Sequence, residues 1–244
     1  MKYAGGQNIC GATIGVLCTE SYFPKPPGHI KNPSALPFPV LYETMTGVTV
    51  PKLLDNPTSE MLEPIIAAAK RLESEGVRAI TGSCGFLALF QKELSEAVSI
   101  PVFSSSLIQI PLAFQMTGAK APVGILTANA SALSTQHLAS VGADNVPVAV
   151  MGLEDTEEFA AVILRNERNE MDLSLVEDEV MSAAKLLKAN APDIRSVVLE
   201  CTDLPPFAAS IQQALKLPVF DIITLAEMAH RVTTRSPYTG IMPW

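Results

Sequence analysis

Val77-Arg-Ala-Ile-Thr-Gly-Ser-Cys84 and Ile194-Arg-Ser-Val-Val-Leu-Glu-Cys201 are two versions of one segment, and their recurrence decides the fold. Each is a short apolar run that ends in a cysteine. Each is followed by a helix-like stretch and then by the same tripeptide, Pro101-Val-Phe103 or Pro218-Val-Phe220. The offset between the copies is 117 residues at Arg78 and Arg195, at Cys84 and Cys201, and at Pro101 and Pro218. An ungapped match over that length marks an internal duplication. The strand that opens each half recurs as well, as Ile14-Gly-Val-Leu17 and Val123-Gly-Ile-Leu126.

Short apolar runs alternate with amphipathic stretches, the pattern of parallel strands joined by helical crossovers. Strands are predicted over residues 14–17, 77–81, 100–103, 123–126, 146–150, 197–199 and 219–220. Thr58 or Ser59 is the expected cap of a helix that runs through Ser74 and stops at Gly76. Further helices are predicted from Ser131, over 173–189, over 205–215 with proline in its first turn, and over 224–233. The stretch from Phe23 to Pro39 carries Pro24, Pro26, Pro27, Pro33, Pro37 and Pro39 with Gly28, so it is read as an irregular loop that shapes or covers the cleft. The expected class is α/β: two doubly wound parallel-sheet domains related by pseudo-two-fold symmetry. Residues 1–115 with 222–244 form one half and 116–221 the other, with the active site in the cleft between them. Ligands of such sheets sit at the carboxyl ends of the strands. Both cysteines fall there.

A net charge of −8 over 244 residues argues against nucleic acid as a partner, because a phosphate backbone needs clustered Lys and Arg. A small anionic substrate remains compatible, since backbone dipoles act locally. The apolar runs are broken by Gly, Pro or charge before they reach bilayer-spanning length, so no membrane partner is expected. The segment from Lys2 to Cys18 shows no small-residue cleavage site and is read as leading into the first strand rather than as a signal peptide. Four cysteines (Cys10, Cys18, Cys84 and Cys201) do not form a disulfide framework, and neither CxxC nor zinc-type Cys/His spacing occurs. The expectation is a cytoplasmic protein with reduced thiols and neither metal nor cofactor.

A thiol at a helix N-terminus feels the positive end of the peptide dipoles, which favours the thiolate. Ser83 and Gly85 beside Cys84, and Thr202 after Cys201, offer N–H and hydroxyl groups for a substrate carboxylate. A carboxylate held there has its α-carbon between the two sulfurs, where one thiolate removes a proton and the opposite thiol returns one. Thr19, Ser21 and Thr127 follow the first strands of their halves and reach toward the same cleft, though a hydroxyl at a strand end is often only a turn or capping group. Ser104, Ser105 and Ser106 have the same double reading. Cys10 and Cys18 lack counterparts in the repeat and read as structural. His137 and His230 fall in helices as surface or capping residues, while His29 lies in the proline-rich loop and is a candidate for the closed cleft. Glu200 is placed to tune Cys201, with the proviso that a raised thiol pKa opposes activation.

Leu199-Glu-Cys-Thr-Asp-Leu204 resembles the Cys-Thr-Glu-Leu signature of the aspartate/glutamate racemase superfamily, and Gly82-Ser-Cys-Gly85 stands where that family has its first cysteine. The resemblance covers nearly the whole chain. It implies a pyridoxal-independent racemase or epimerase acting on an amino acid or related carboxylate, an isomerase with Cys84 and Cys201 as the acid/base pair. Ser83, Gly85, Phe86, Thr202, Thr19 and Thr127 are the expected substrate contacts, and family habit implies a homo-oligomer. Maleate isomerases and arylmalonate decarboxylases are relatives on the same scaffold, and a non-catalytic two-lobed binding protein is the alternative from outside enzymology. Two departures stand out. Gly85-Phe86 replaces the Asn-Thr that follows the first cysteine in the amino-acid racemases, and Asp203 replaces the usual Glu or His after the second Cys-Thr.

Overall fold

The computed structural model of the protein describes residues 2, 5–55 and 57–242. The apolar run that opens the first half becomes β1, Ile14–Glu20, with six of its seven residues buried. A strand covered on both faces needs such a continuous apolar run rather than an alternating one. It is followed by β2 (Val40–Thr49), α1 (Val50–Asp55), α2 (Leu62–Ser74), β3 (Ala79–Gly82), α3 (Gln91–Ala97), β4 (Val102–Phe103) and α4 (Ile110–Met116). The second half continues with β5 (Val123–Leu126), α5 (Thr135–Ser140), β6 (Val148–Met151), α6 (Leu173–Asn190), β7 (Val197–Leu199), α7 (Ala208–Leu215), β8 (Val219–Phe220) and α8 (Ile222–Thr233).

The strands form two four-stranded sheets in which every pairing is parallel, ordered β2-β1-β3-β4 and β6-β5-β7-β8. Each order reads second, first, third, fourth strand of its half, so the duplication visible in the sequence is a duplication of topology. Helices cover both faces. In the first half α2 packs Ile65, Ala68, Ala69 and Leu72 with Leu17 and Ile80. On the opposite face α8 lays Ile222, Leu225, Ala226 and Ala229 against Ile14, Val16 and Ala79. That helix follows the second half in the chain but completes the core of the first. In the second half α6 buries Val176, Val180, Ala183, Ala184 and Leu187 with Leu126, Val197 and Leu199.

Helix starts follow local chemistry. Asp172 caps α6 by accepting from Ser174 N–H at 2.9 Å, and Asp221 with Thr224 forms a reciprocal capping box for α8. Some expected boundaries move. The helix read from Ser131 begins at Thr135, because Ser134 and His137 form the capping box there. The helix expected from Thr58 or Ser59 begins as a 3-10 turn at Ser59–Met61 before α2. The edge strand β2 was absent from the sequence reading, as was the π-helical turn Ala160–Leu164. β2 has one neighbour only and a half-exposed burial pattern, so it lacks the continuous apolar signature of β1. Among the described residues no helix is long and apolar enough to cross a membrane.

Candidate active site

β3 and β7 each deliver the chain into a tight turn, and the two turns meet. Cys84 is extended (φ −152°, ψ 126°) and heads the 3-10 turn Gly85–Phe90 that leads into α3. Cys201 begins the equivalent turn ahead of α7. Both thiols are buried, with 8% and 6% of each residue exposed. Thr202 Oγ1 donates to the carbonyl of Ser83 at 2.6 Å, and Ser106 Oγ donates to the carbonyl of Leu199 at 2.6 Å, so the second half is tied to the first at the two cysteine turns. Thr19 N–H donates to Ser83 Oγ at 3.0 Å, which brings the end of β1 to the same place.

Gly85 is the point of closest approach. A Cβ at this position would overlap the carboxylate and backbone oxygens of Glu200 and lie 2.6 Å from its carboxyl carbon. The side chain missing from Gly85 is thus replaced in space by Glu200, and a side chain such as Asn at this position would collide with it. Glu200 is fully buried. Its Oε2 accepts from Thr127 Oγ1 at 2.7 Å, whereas its Oε1 has no hydrogen-bond partner among the described residues. Burial pushes this carboxyl up to about 7, partly opposed by the bonds from Thr127 and Ala128.

The proline-rich loop closes over the second cysteine. Gly28 adopts φ +95°, and a Cβ there would sit 3.0 Å from Pro206 Cα, so the loop packs directly on the turn behind Cys201. Phe23 enters the apolar core of the second half. His29, 1% exposed, accepts the Lys31 N–H on Nδ1 at 2.9 Å, which leaves Nε2–H to donate to Asp203 Oδ1 at 2.8 Å. The other oxygen of Asp203 accepts the Cys201 S–H at 3.4 Å. Burial alone would raise the Asp203 carboxyl. His29, Lys25 and the Cys201 S–H together hold it below its ordinary value. Lys25 is lowered to about 8, chiefly by burial, with its ammonium 3.2 Å above the Phe23 ring.

Both thiols are shifted against ionisation. Burial, then Glu200, raises Cys84 far above its usual value, and the Phe86 N–H recovers only part of that. Burial, then Asp203 and Glu200, does the same to Cys201. The helix-terminus effect expected from the sequence is present as the Phe86 N–H but is outweighed by desolvation and by the two carboxylates.

The structure therefore brings Cys84, Cys201, Ser83, Gly85, Thr19, Thr127 and Thr202 into one neighbourhood. Phe86 lies behind it in the core, edge-on to His137 with ring centroids 4.9 Å apart. His137 is buried rather than on the surface, and His230 stacks on Phe38 while its Nδ1 pairs with Thr13 Oγ1 at 2.6 Å, away from the cysteines. Ser104 bonds Gln91 and Ser105 caps the following turn. Cys18 is buried and Cys10 exposed. The sequence reading missed Lys25 and Lys31. Their only local signal was charge within an otherwise proline-rich and apolar loop.

This duplicated α/β architecture is the fold of arylmalonate decarboxylase and of the glutamate and aspartate racemases. Unliganded arylmalonate decarboxylase superposes with a TM-score of 0.59 at 16% identity, over 93% of this chain and 94% of that one. Glutamate racemase from Bacillus anthracis superposes with a TM-score of 0.57 at 18% identity, over 91% and 82%. Within that fold the chain belongs to the dimethylsulfoniopropionate lyase family. It is 32% identical over 244 residues to the dimethylsulfoniopropionate lyase of Durusdinium sp. clade D, covering 97% of this chain and 80% of that protein. It is 31% identical over 238 residues to dimethylsulfoniopropionate lyase 5 of Emiliania huxleyi, covering 93% of this chain and 47% of the relative's length. The chain thus spans about half of that second relative. No protein-family model matches it. The relatives are named lyases, and this overturns the expected racemase or epimerase activity and the isomerase class drawn from the superfamily resemblance.

Proposed function

We propose that this protein is a lyase that splits dimethylsulfoniopropionate into dimethyl sulfide and acrylate, with Cys84 and Cys201 at the reacting centre. The observation that carries the reading is the match to dimethylsulfoniopropionate lyases along nearly the full chain. The site chemistry supports it. In this substrate the propionate carbon C3 bears a dimethylsulfonium, an excellent neutral leaving group once the C–S bond breaks. A base removes one proton from C2. The C2–H electron pair becomes the C2=C3 bond, and the C3–S pair leaves with dimethyl sulfide. The proton lost from C2 ends on the base, and no proton has to be delivered to the leaving sulfur.

One base is therefore sufficient, and Cys201 is the thiol assigned to that role. Its S–H is aimed at Asp203, which His29 fixes from the other side. The surroundings also account for how a raised thiol becomes a base. Burial, then Asp203 and Glu200, disfavours a thiolate in the empty site. A bound sulfonium opposes that shift. A unit cation about 5 Å away at an effective dielectric near 20 contributes roughly 3 kcal/mol, or about two pH units of thiol acidity. Substrate entry thus favours transfer of the Cys201 proton to Asp203, the acceptor of its S–H, and the base forms where its target lies. Cys84, Thr202, Ser83 and Thr19 stand in the same neighbourhood, tied together by the Thr202–Ser83 and Thr19–Ser83 hydrogen bonds.

The test is headspace measurement of dimethyl sulfide from the purified protein with dimethylsulfoniopropionate, for the wild type and for Cys84→Ala and Cys201→Ala. The expected result is release by the wild type and at least about a 1000-fold loss in Cys201→Ala, the scale of removing an essential acid/base group. Release undiminished in both variants would remove the thiols from the mechanism, and no release by the reduced wild type would refute the lyase reading.

A further inference from the structure

Beside the cysteine turns lies a cavity of about 240 Å³, lined by Cys18, Thr19, Glu20, Ser21, Lys31 and Tyr42 among others. Its cation is built in. Lys31 leaves the proline-rich loop, and its ammonium is held by the carbonyl of Thr19 at 3.0 Å and by Ser21 Oγ at 2.5 Å. Both partners are neutral oxygens. Among the described residues no carboxylate lies within ion-pair distance of Lys31; Glu43, across β1, is paired with Arg71 at 2.6 Å. Two of the three ammonium hydrogens are used, and the third is free for a ligand. A partly buried ammonium held in place without a counter-ion is a site for an anion.

The cavity is not separate from the reacting centre. Thr19 forms part of its wall, and the N–H of Thr19 is bonded to Ser83, the residue before Cys84. The Lys31 charge acts on Cys18, which lines the cavity, and on Asp203 and Cys84 beyond it. Burial lowers the Lys31 ammonium from its usual value, and a carboxylate arriving from outside would restore it.

We propose that Lys31 anchors the carboxylate of a small substrate that enters through this cavity, turning the carbon next to that carboxylate toward the buried thiols. The proposal rests on the lyase reading for the cationic end of the substrate but not for the carboxylate. A carboxylate paired with Lys31 also holds less negative charge, which makes the adjacent C–H easier to deprotonate. Lys31 is thus a specificity residue that selects carboxylates.

The experiment uses the full chain, with propionate as the carboxylate probe and trimethylsulfonium as the cation probe, each followed by saturation-transfer NMR. Lys31→Met and Lys31→Arg are compared with the wild type, with melting curves confirming that each is folded. The expected result is propionate binding by the wild type, about tenfold weaker or worse in Lys31→Met, and partly recovered in Lys31→Arg, while trimethylsulfonium binding changes less than about twofold. Three results would overturn the proposal: no propionate binding by the wild type, propionate binding unchanged in Lys31→Met, or equal loss of both probes. Dimethyl sulfide release by the same wild-type batch separates the two ideas. If propionate binding depends on Lys31 and no dimethyl sulfide appears, the anchor stands and the lyase reading falls.

Discussion

Replacing Glu200 with glutamine should make the protein more stable at alkaline pH than at acidic pH, relative to the wild type. The carboxyl of Glu200 titrates at the ordinary 4.5 in the unfolded chain and at about 7 when folded, because burial penalises its charge more than Thr127 and Ala128 relieve it. Below pH 4.5 the group is neutral in both states and costs nothing. As pH rises to about 7 the unfolded chain ionises while the folded one stays protonated, so stability falls by about 1.4 kcal/mol for each pH unit. The loss is complete just above pH 7 and amounts to roughly 3 kcal/mol. Glutamine keeps an oxygen to accept from Thr127 but cannot ionise, so this slope is absent from Glu200→Gln. Whatever the amide costs against Gly85 is the same at every pH. The assay is urea denaturation of both proteins, kept reduced, at several pH values from 4.5 to 8. The variant should gain about 3 kcal/mol on the wild type across that range, equivalent to about 6–12 °C in Tm. A difference constant to within about 0.5 kcal/mol would show that Glu200 ionises normally in the fold and would refute the desolvation argument.

Two further substitutions test the loop and the turn behind Cys201. Asp203→Asn removes the charged acceptor of the Cys201 S–H and the buried partner of His29; dimethyl sulfide release should drop about 100-fold, and the melting temperature should fall as well. Gly28→Ala forces a side chain into φ +95° and to 3.0 Å from Pro206, so it should destabilise the protein by about 1–3 kcal/mol in chemical denaturation and raise KM as the loop lifts.

The two halves and both cysteine turns were legible in the sequence because buried parallel strands write themselves as continuous apolar runs, and the duplication wrote each of them twice. β2 was not legible, since an edge strand with one neighbour has little to bury and follows a proline-rich segment that draws attention to itself. The hydroxyls at strand ends could be placed because strand ends are local. What reaches the cysteines from the loop could not. His29 finds Asp203 across 174 positions of chain, and Lys31 finds Thr19 by folding back over β1. Nothing in spacing or periodicity encodes such contacts. The chemistry of the thiols was misjudged for a related reason: a helix start is visible in sequence, but burial and the convergence of Glu200 with Asp203 appear only in three dimensions.

The path of α8 bears on how the molecule is made. The ribosome releases β1 to β4 first, yet the face of their sheet that carries Ile14, Val16 and Ala79 is sealed by Ile222, Leu225, Ala226 and Ala229. For most of synthesis that apolar face is covered only by loop residues such as Ile30 and Leu36, while β5 to β8 and their helices can already assemble beside it. The half that emerges first is therefore the half that matures last, and a chain stalled before residue 222 would present a greasy sheet to chaperones and proteases.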